Sequence, residues 1–388
     1  MRAPTAIQNI FLYAAAWWAF FCTFFGYIRV AVIKNIIKLL SCGRMIRGYK
    51  KYCCSNTDCD HIQYVTFSCN SRFCSTCGKK ATDIWIQKQK ATLPDCEWQH
   101  ITFTIPSEYW GFFESHRDLL KEYASAAADV IQKLAKKRGI TVGIFTAIHT
   151  FGHDLKWNPH VHLSVTMGGL SKNREAWKAI RFSKKAAMPM WKSRINKILR
   201  KAQREGHISP EKGLLDKQYN RYWHIHFCKP TSSPAHTIQY LGQYLKRPPV
   251  SMSKLKHYDG QSVTFDYMDR RTGRRKETTH TASDFIGRFT KHIPEENFRM
   301  IRYYGFLANR VRGELLPIVY DLLDQEVKPI KHLTWRGLMI GNFKRDPLKC
   351  ILCGSTMSLV KVCFGYNQNE LTGYHKELAN REMIPIPN

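Results

Sequence analysis

The sequence predicts an α+β fold, and three observations carry that reading. Strand-like runs and helical stretches alternate along the chain without the repeated parallel-strand units of an α/β protein. Breakers such as Pro106, Gly139 and the Pro248-Pro249 pair punctuate that alternation. The chain has 388 residues, 44% of them hydrophobic and 23% charged, which is enough for two or three domains around a full core.

Taken in order, residues 1–40 read as an apolar helix continued by a basic one from Arg29 to Leu40. A cysteine-rich block runs from Cys42 to Cys77 with β-like stretches such as Tyr64-Val65-Thr66-Phe67. A zinc-ribbon-like domain is therefore expected over 41–92, closed by a helix from Asp83 to Ala91. His100 to Ile105 alternates as a strand and is stopped by Pro106. Phe112 to Arg138 reads as one helix ended by Gly139. Two strands, Gly143 to Phe151 and His160 to Met167, are expected on either side of a loop containing Asn158-Pro159. Lys172 to Arg204 has a helical pattern, Tyr222 to Phe227 reads as a strand, and Ala235 to Lys246 as a helix ended by Pro248-Pro249. Val263 to Thr278 resembles a hairpin turning at Thr272-Gly273, and Glu295 to Asp324 a last helical region. The expected layout is a central unit at 98–250, an α/β extension at 251–345 and a tail at 346–388 carrying Cys350 and Cys353.

The formal charge is +30, from 60 Lys and Arg against 30 Asp and Glu. Such an excess repels itself in a compact fold, so it calls for a polyanionic partner: nucleic acid first, an anionic membrane surface second. The Lys172–Arg204 stretch holds 12 Lys or Arg against the single acid Glu175 and is expected to meet a nucleic-acid backbone. The 13 cysteines are odd in number and clustered, which fits metal binding in a reducing cytosol better than a disulfide scaffold. Ile10 to Ile28 is 19 uncharged residues between Arg2 and Arg29, long enough to span a membrane. No small-residue cleavage site follows it, so a signal peptide is not expected. The reading adopted is a buried helix with Trp17, Trp18, Phe20, Phe21, Phe24 and Phe25 on its core face, and no stable membrane association.

Three constellations carry chemistry. In His160-Val161-His162 the two imidazoles share one face of a strand while Val161 faces the core. Two imidazoles seldom complete a site, so a third ligand is expected from the neighbouring strand: His149 if the strands form a hairpin, with His153 the alternative. On spacing alone His224-Ile225-His226 competes with this pair. In Tyr240-Leu241-Gly242-Gln243-Tyr244, positions i and i+4 of a helix share a face, and Lys246 and Arg247 follow to hold phosphates. Paired core tyrosines are the alternative reading of that motif. Cys54-x4-Cys59 and Cys74-x2-Cys77 read as two knuckles closing one tetrahedral zinc site, with Cys42, Cys53, Cys69 and His61 to spare. Cys350-Ile351-Leu352-Cys353-Gly354 is half of another such site, with Cys363 or His375 as possible completions.

Together, in order, these pieces resemble the two-tyrosine HUH transposases of the insertion sequence 91 family, which carry an N-terminal zinc-binding domain. The matching segments are Ser68 to Lys79, His100 to Pro106, His149-Thr150-Phe151-Gly152, Trp157 to His162, Tyr240 to Pro249 and Arg302 to Arg310, covering most of the chain from Cys42 to Cys353. The resemblance implies an HUH-type antiparallel sheet with flanking helices, makes 98–250 the catalytic domain, and puts the histidine pair on His160 and His162 and the nucleophiles on Tyr240 and Tyr244. It implies a 5′-phosphotyrosine intermediate in rolling-circle transposition, with single-stranded and element-end DNA as partners at a bacterial nucleoid or plasmid. The expected cofactors are Mg or Mn at His149, His160 and His162, and structural zinc at Cys54, Cys59, Cys74 and Cys77. The first knuckle departs from the family's CxxC spacing, which leaves the zinc ligands open. No G-x-x-x-x-G-K-[ST] phosphate loop is present, consistent with chemistry that conserves bond energy on tyrosine. A rolling-circle replication initiator would share the chemistry, whereas a non-catalytic zinc DNA-binding protein would need neither the histidine nor the tyrosine pair.

Overall fold

The computed structural model describes residues 6–12, 28–152, 154–235, 237–239, 242, 249–269, 272–329 and 334–382. In chain order the elements are α1 (Ala6–Leu12), α2 (Val30–Ser41), β1 (Gly48–Cys54), β2 (Ile62–Thr66), α3 (Ser75–Thr92), β3 (Trp98–Phe103), α4 (Trp110–Ser115) and α5 (Leu119–Lys136). There follow β4 (Ile140–Phe151), β5 (Trp157–Ser171), β6 (Trp177–Ala179), α6 (Lys184–Arg204), α7 (Leu214–Asn220) and β7 (Ile225–Phe227). The remainder comprises β8 (Leu255–Tyr258), β9 (Ser262–Asp269), β10 (Arg274–Thr281), α8 (Ala282–Lys291), β11 (Ile301–Gly305), α9 (Arg312–Leu322), α10 (Trp335–Phe343), β12 (Met357–Phe364) and α11 (Gln368–Glu382).

The expected α+β class is borne out: an antiparallel sheet of order β11-β4-β5-β3-β7, with β6 on β5, lies among helices. Alternation along β5 sends Val161, Leu163 and Val165 into a core with Ile131 and Val130 of α5 and Trp191, Ile195 and Leu199 of α6. Apolar residues of α5 recur every three or four positions, and Ala124, Ala127 and Ala128 let its backbone approach the sheet. The other face holds a separate cluster: Trp98, Phe145 and Ala147 of the sheet, Trp85 and Ile86 of α3, Ile238, and Leu315 and Val319 of α9.

Several elements differ from expectation. Asn158 and Pro159 belong to β5, not to a loop. The β4–β5 register shifts between His149 and Phe151, and a bulge at the end of a strand tolerates a residue with no N–H to give the ladder. The expected helix from Phe112 to Arg138 breaks into α4 and α5, which frees Arg117 to stack 4.7 Å over Trp157. Helix α6 starts only at Lys184, where the Ser183 hydroxyl caps it; Trp177–Ala179 upstream is a strand. Glu295 to Asp324, expected as helix, contains β11, which pairs with the edge of β4. Strand β11 stops at Gly305, whose φ of +63° and whose absent Cβ, 1.7 Å from the Val142 carbonyl oxygen, admit no other residue without movement.

The extension at 251–345 is likewise not one unit. Val263, Phe265, Phe285 and Phe289, from β9 and α8, form a core with Ile10 and Phe11 of α1 and Val32 and Ile36 of α2, whereas β11 joins the central sheet. The tail does not stand apart either. Strand β12 pairs with β1, giving a sheet of order β12-β1-β2, and the buried His375 of α11 lies 3.0 Å from the Ser41 hydroxyl of α2. Most of the apolar run Ile10–Ile28 falls outside the described residues; among those described, no helix is long and apolar enough to cross a membrane.

Candidate metal centres

The β4–β5 hairpin assembles the histidines. Its register sets His149 opposite His160 and Ala147 opposite His162, and the i, i+2 spacing turns both β5 imidazoles to the same face. One ring nitrogen from each of His149, His160 and His162 lies within 4.8 Å of the others. His149 and His162 are each 4% exposed, and His160 is half-buried.

Neighbouring groups orient these rings. His160 Nδ1 lies 2.7 Å from the Asn158 carbonyl oxygen, so Nδ1–H donates and Nε2 carries the lone pair. His162 Nδ1 lies 2.9 Å from His100 Nε2, and His100 Nδ1 lies 3.2 Å from the Ser164 hydroxyl. One proton assignment satisfies this relay and leaves a ligating lone pair on His162: Nδ1–H of His162 donates to His100, whose own Nδ1–H donates to Ser164. His149 stacks on Phe151 with centroids 5.6 Å apart and planes 11° from parallel. A convergent set of three imidazoles, two of them with their tautomers set by neighbouring groups, suits one divalent ion that keeps positions open for a phosphate oxygen.

The sequence reading gave His100 no role. The available signal was its strand alternation, His100-Ile101-Thr102, which faces Ser164 and His162 across the β3–β5 ladder. His224 and His226 are exposed at the sheet margin and belong to no three-residue ligand group among the described residues.

His153, Tyr240 and Tyr244 lie outside the described residues. Near them, residues 237–239 and 242 are described. Thr237 and Ile238 are 3% and 0% exposed, the Ile238 N–H donates to Pro234 O at 2.8 Å, and Ile238 shares its apolar cluster with Ala147. Gly242, between the tyrosines, sits so close to α3 that a Cβ would lie 2.5 Å from Ile86 Cγ1. The motif's glycine is thus a packing requirement against the zinc-domain helix. Tyr303 is a poor candidate nucleophile by contrast: burial raises its phenol pKa, and its hydroxyl accepts a 3.2 Å hydrogen bond from Trp85 Nε1.

The cysteines require a correction. Cys54, Cys59, Cys74 and Cys77 do not meet at one point. Cys74 and Cys77 converge with Cys42 and Cys69, and Cys54 and Cys59 converge with Cys350 and Cys353. In the first group the Cys42–Cys77, Cys42–Cys74 and Cys69–Cys77 sulfurs are each 3.6 Å apart. Tetrahedral zinc with bonds of ~2.3 Å sets its sulfurs about 3.8 Å apart, so this cage fits the ion. Cys74 and Cys77 begin α3, where the positive end of the helix dipole favours thiolate. Spacing misled because Cys42 and Cys69 come from the end of α2 and the loop after β2, brought over α3 by packing.

The basic helix α6 covers the sheet face opposite the histidines, and its Arg194 and Arg200 pair with Asp129 and Asp216.

Comparison with known proteins follows the same division. A family described as "Putative transposase" matches residues 143–314, and one described as "Transposase zinc-binding domain" matches residues 13–105. The chain is 41% identical over 367 residues to the transposase for insertion sequence element IS801 of Pseudomonas savastanoi pv. phaseolicola, covering 91% of this chain and 89% of that protein. It is 28% identical over 290 residues to putative transposase y4qJ of Sinorhizobium fredii, covering 69% and 73% respectively. No solved structure matches the chain.

Proposed function

The chain belongs to the insertion sequence 91 family of transposases, and we propose that it cleaves and rejoins single-stranded DNA through a tyrosine nucleophile in rolling-circle transposition. The observation that carries this reading is the convergence of His149, His160 and His162 on the sheet face where Ile238 packs, just before Tyr240.

His149, His160 and His162 would hold a divalent ion. When bound, such an ion supplies Lewis-acid polarisation of a phosphate oxygen and a template for in-line attack. Imidazole nitrogens favour a transition ion over Mg²⁺, so Mn²⁺ is the better expected support. The tyrosine hydroxyl attacks the scissile phosphorus, its proton leaves to solvent or a neighbouring base, and the 3′-oxygen departs as a 3′-hydroxyl. The new 5′-phosphotyrosine bond replaces the broken phosphodiester, so rejoining needs no nucleotide energy source. Tyr240 and Tyr244 together allow two such covalent events, as strand transfer requires. Cys42, Cys69, Cys74 and Cys77 would hold a structural zinc that fixes α3, the helix against which Gly242 packs.

Incubation with element-end single-stranded oligonucleotides tests this. A protein–DNA adduct that survives denaturation is expected with Mn²⁺ or Mg²⁺ and not with a chelator. Metal-loaded protein that cuts such DNA without any covalent adduct contradicts the tyrosine mechanism.

A further inference from the structure

Cys54 closes β1, and Cys59 lies in the turn that follows; Cys350 and Cys353 lie in the turn before β12. Because β12 runs antiparallel to β1, with Cys54 opposite Met357, both turns reach the same end of the sheet. There Cys54 and Cys353 sulfurs are 3.4 Å apart and Cys59 and Cys350 sulfurs 3.7 Å apart, and all four lie within 4.8 Å. Those separations match four thiolates around one zinc, about 3.8 Å apart, and not disulfides of about 2.05 Å.

The second turn has the build of a metal knuckle. Leu352 N–H points to Cys350 Sγ at 3.4 Å, Gly354 N–H donates to Cys350 O at 3.0 Å, and Gly354 takes φ +76°. His61 Nδ1 lies 3.1 Å from Cys350 Sγ, where an N–H stabilises a thiolate and orients it from the outer shell. Beyond the ladder to β1 and the buried Met357, the side chains of β12 add little packing: Leu359, Val360 and Phe364 are 51%, 61% and 87% exposed.

We infer that Cys54, Cys59, Cys350 and Cys353 form a second structural zinc site that staples the tail to the N-terminal domain. All-thiolate ligation selects zinc or a similarly soft ion over Mg²⁺ or Mn²⁺. Two of the four ligands lie far beyond residues 13–105, the stretch matched by the zinc-binding domain family. The staple closes a loop of 299 residues between Cys54 and Cys353 that contains the entire catalytic sheet. Each cysteine that enters as a thiol releases one proton as its thiolate binds, up to four in all, with no change of oxidation state.

Cobalt substitution of the full chain tests this, because thiolate-to-cobalt charge-transfer absorption reports the cysteine sites and not the histidines. Two thiolate-bound ions per chain are expected in the wild type. Cys350→Ser with Cys353→Ser should halve that absorption and open residues 346–388 to protease while leaving 41–92 protected. Cys353→Ser alone, at an exposed position, guards against misfolding and should weaken only the second ion. One thiolate-bound ion in the wild type, undiminished absorption in the double variant, or a Cys54–Cys353 disulfide in freshly reduced-lysate protein would each overturn the inference.

Discussion

The histidine cluster and the cysteine clusters are assembled by opposite means. His149, His160 and His162 come from two neighbouring strands of one hairpin, so a period of two and one register bring them together. The second cysteine cluster joins residues 299 apart, and the first draws on the end of α2, the loop after β2 and the start of α3. The lesson is a division of labour. The hairpin is held by its ladder and the core beneath Val161; the first cysteine group is packed beside Phe73 and Phe289, whereas the second, with Cys353 exposed, sits at the end of the β12-β1-β2 sheet.

The sharpest way to break this comparison is to remove ligands from each kind of site. His160→Ala with His162→Ala should lower adduct formation by at least about 10³-fold, roughly 4 kcal/mol of transition-state stabilisation, with circular dichroism unchanged. Loss of fold in that variant would erase the distinction. Cys74→Ser should act the other way, lowering the melting temperature and exposing 41–92 to protease, because structural zinc supplies on the order of 10 kcal/mol to small domains. Activity should fall only as far as α3 and the adjoining segment around Gly242 loosen.

His100→Ala sharpens the comparison within the hairpin. Removing the partner of His162 Nδ1 should weaken metal affinity by about 10- to 100-fold, visible as a higher Mn²⁺ concentration for half-maximal cleavage, with the saturated rate less affected. His100→Asn, which can still accept or donate a hydrogen bond, should recover part of that affinity; a purely structural role would show no such recovery.

The smallest effect is expected on α6. Replacing Lys184, Lys185, Lys197 and Arg204 with Gln should weaken DNA binding and flatten its salt dependence by up to about 0.7 in slope per lost single-strand contact. Cleavage at saturating DNA should stay within about twofold, because that helix covers the face opposite the histidines. A tenfold fall in saturated cleavage would place the scissile strand on the wrong side of the sheet.

The sequence was readable where pattern and structure share a short range. His160-Val161-His162 announces a strand with two imidazoles outward, and His149 follows once Gly143–Phe151 is taken as its hairpin partner. Cysteine spacing, in contrast, identifies half-sites but not their mates, since which halves meet is decided by how β12 returns to β1. The segment from Glu295 to Asp324 failed for a related reason: its first part is recruited as a strand by the open edge of β4, a tertiary demand that local propensity does not record. Asn158-Pro159 looked like a turn because the bulge that accommodates proline cannot be read from one strand alone.

DNA is expected to become attached to Tyr240 or Tyr244, which follow Ile238 of the cluster on the histidine side of the sheet. Trapping the adduct with a single-stranded element-end oligonucleotide and Mn²⁺, digesting it and mapping the modified peptide by mass spectrometry addresses that claim directly. A nucleotide phosphate is expected on Tyr240 or Tyr244, and no adduct when both are changed to Phe. A phosphate on Tyr303, whose hydroxyl is buried against Trp85, or on any residue outside the motif would contradict it.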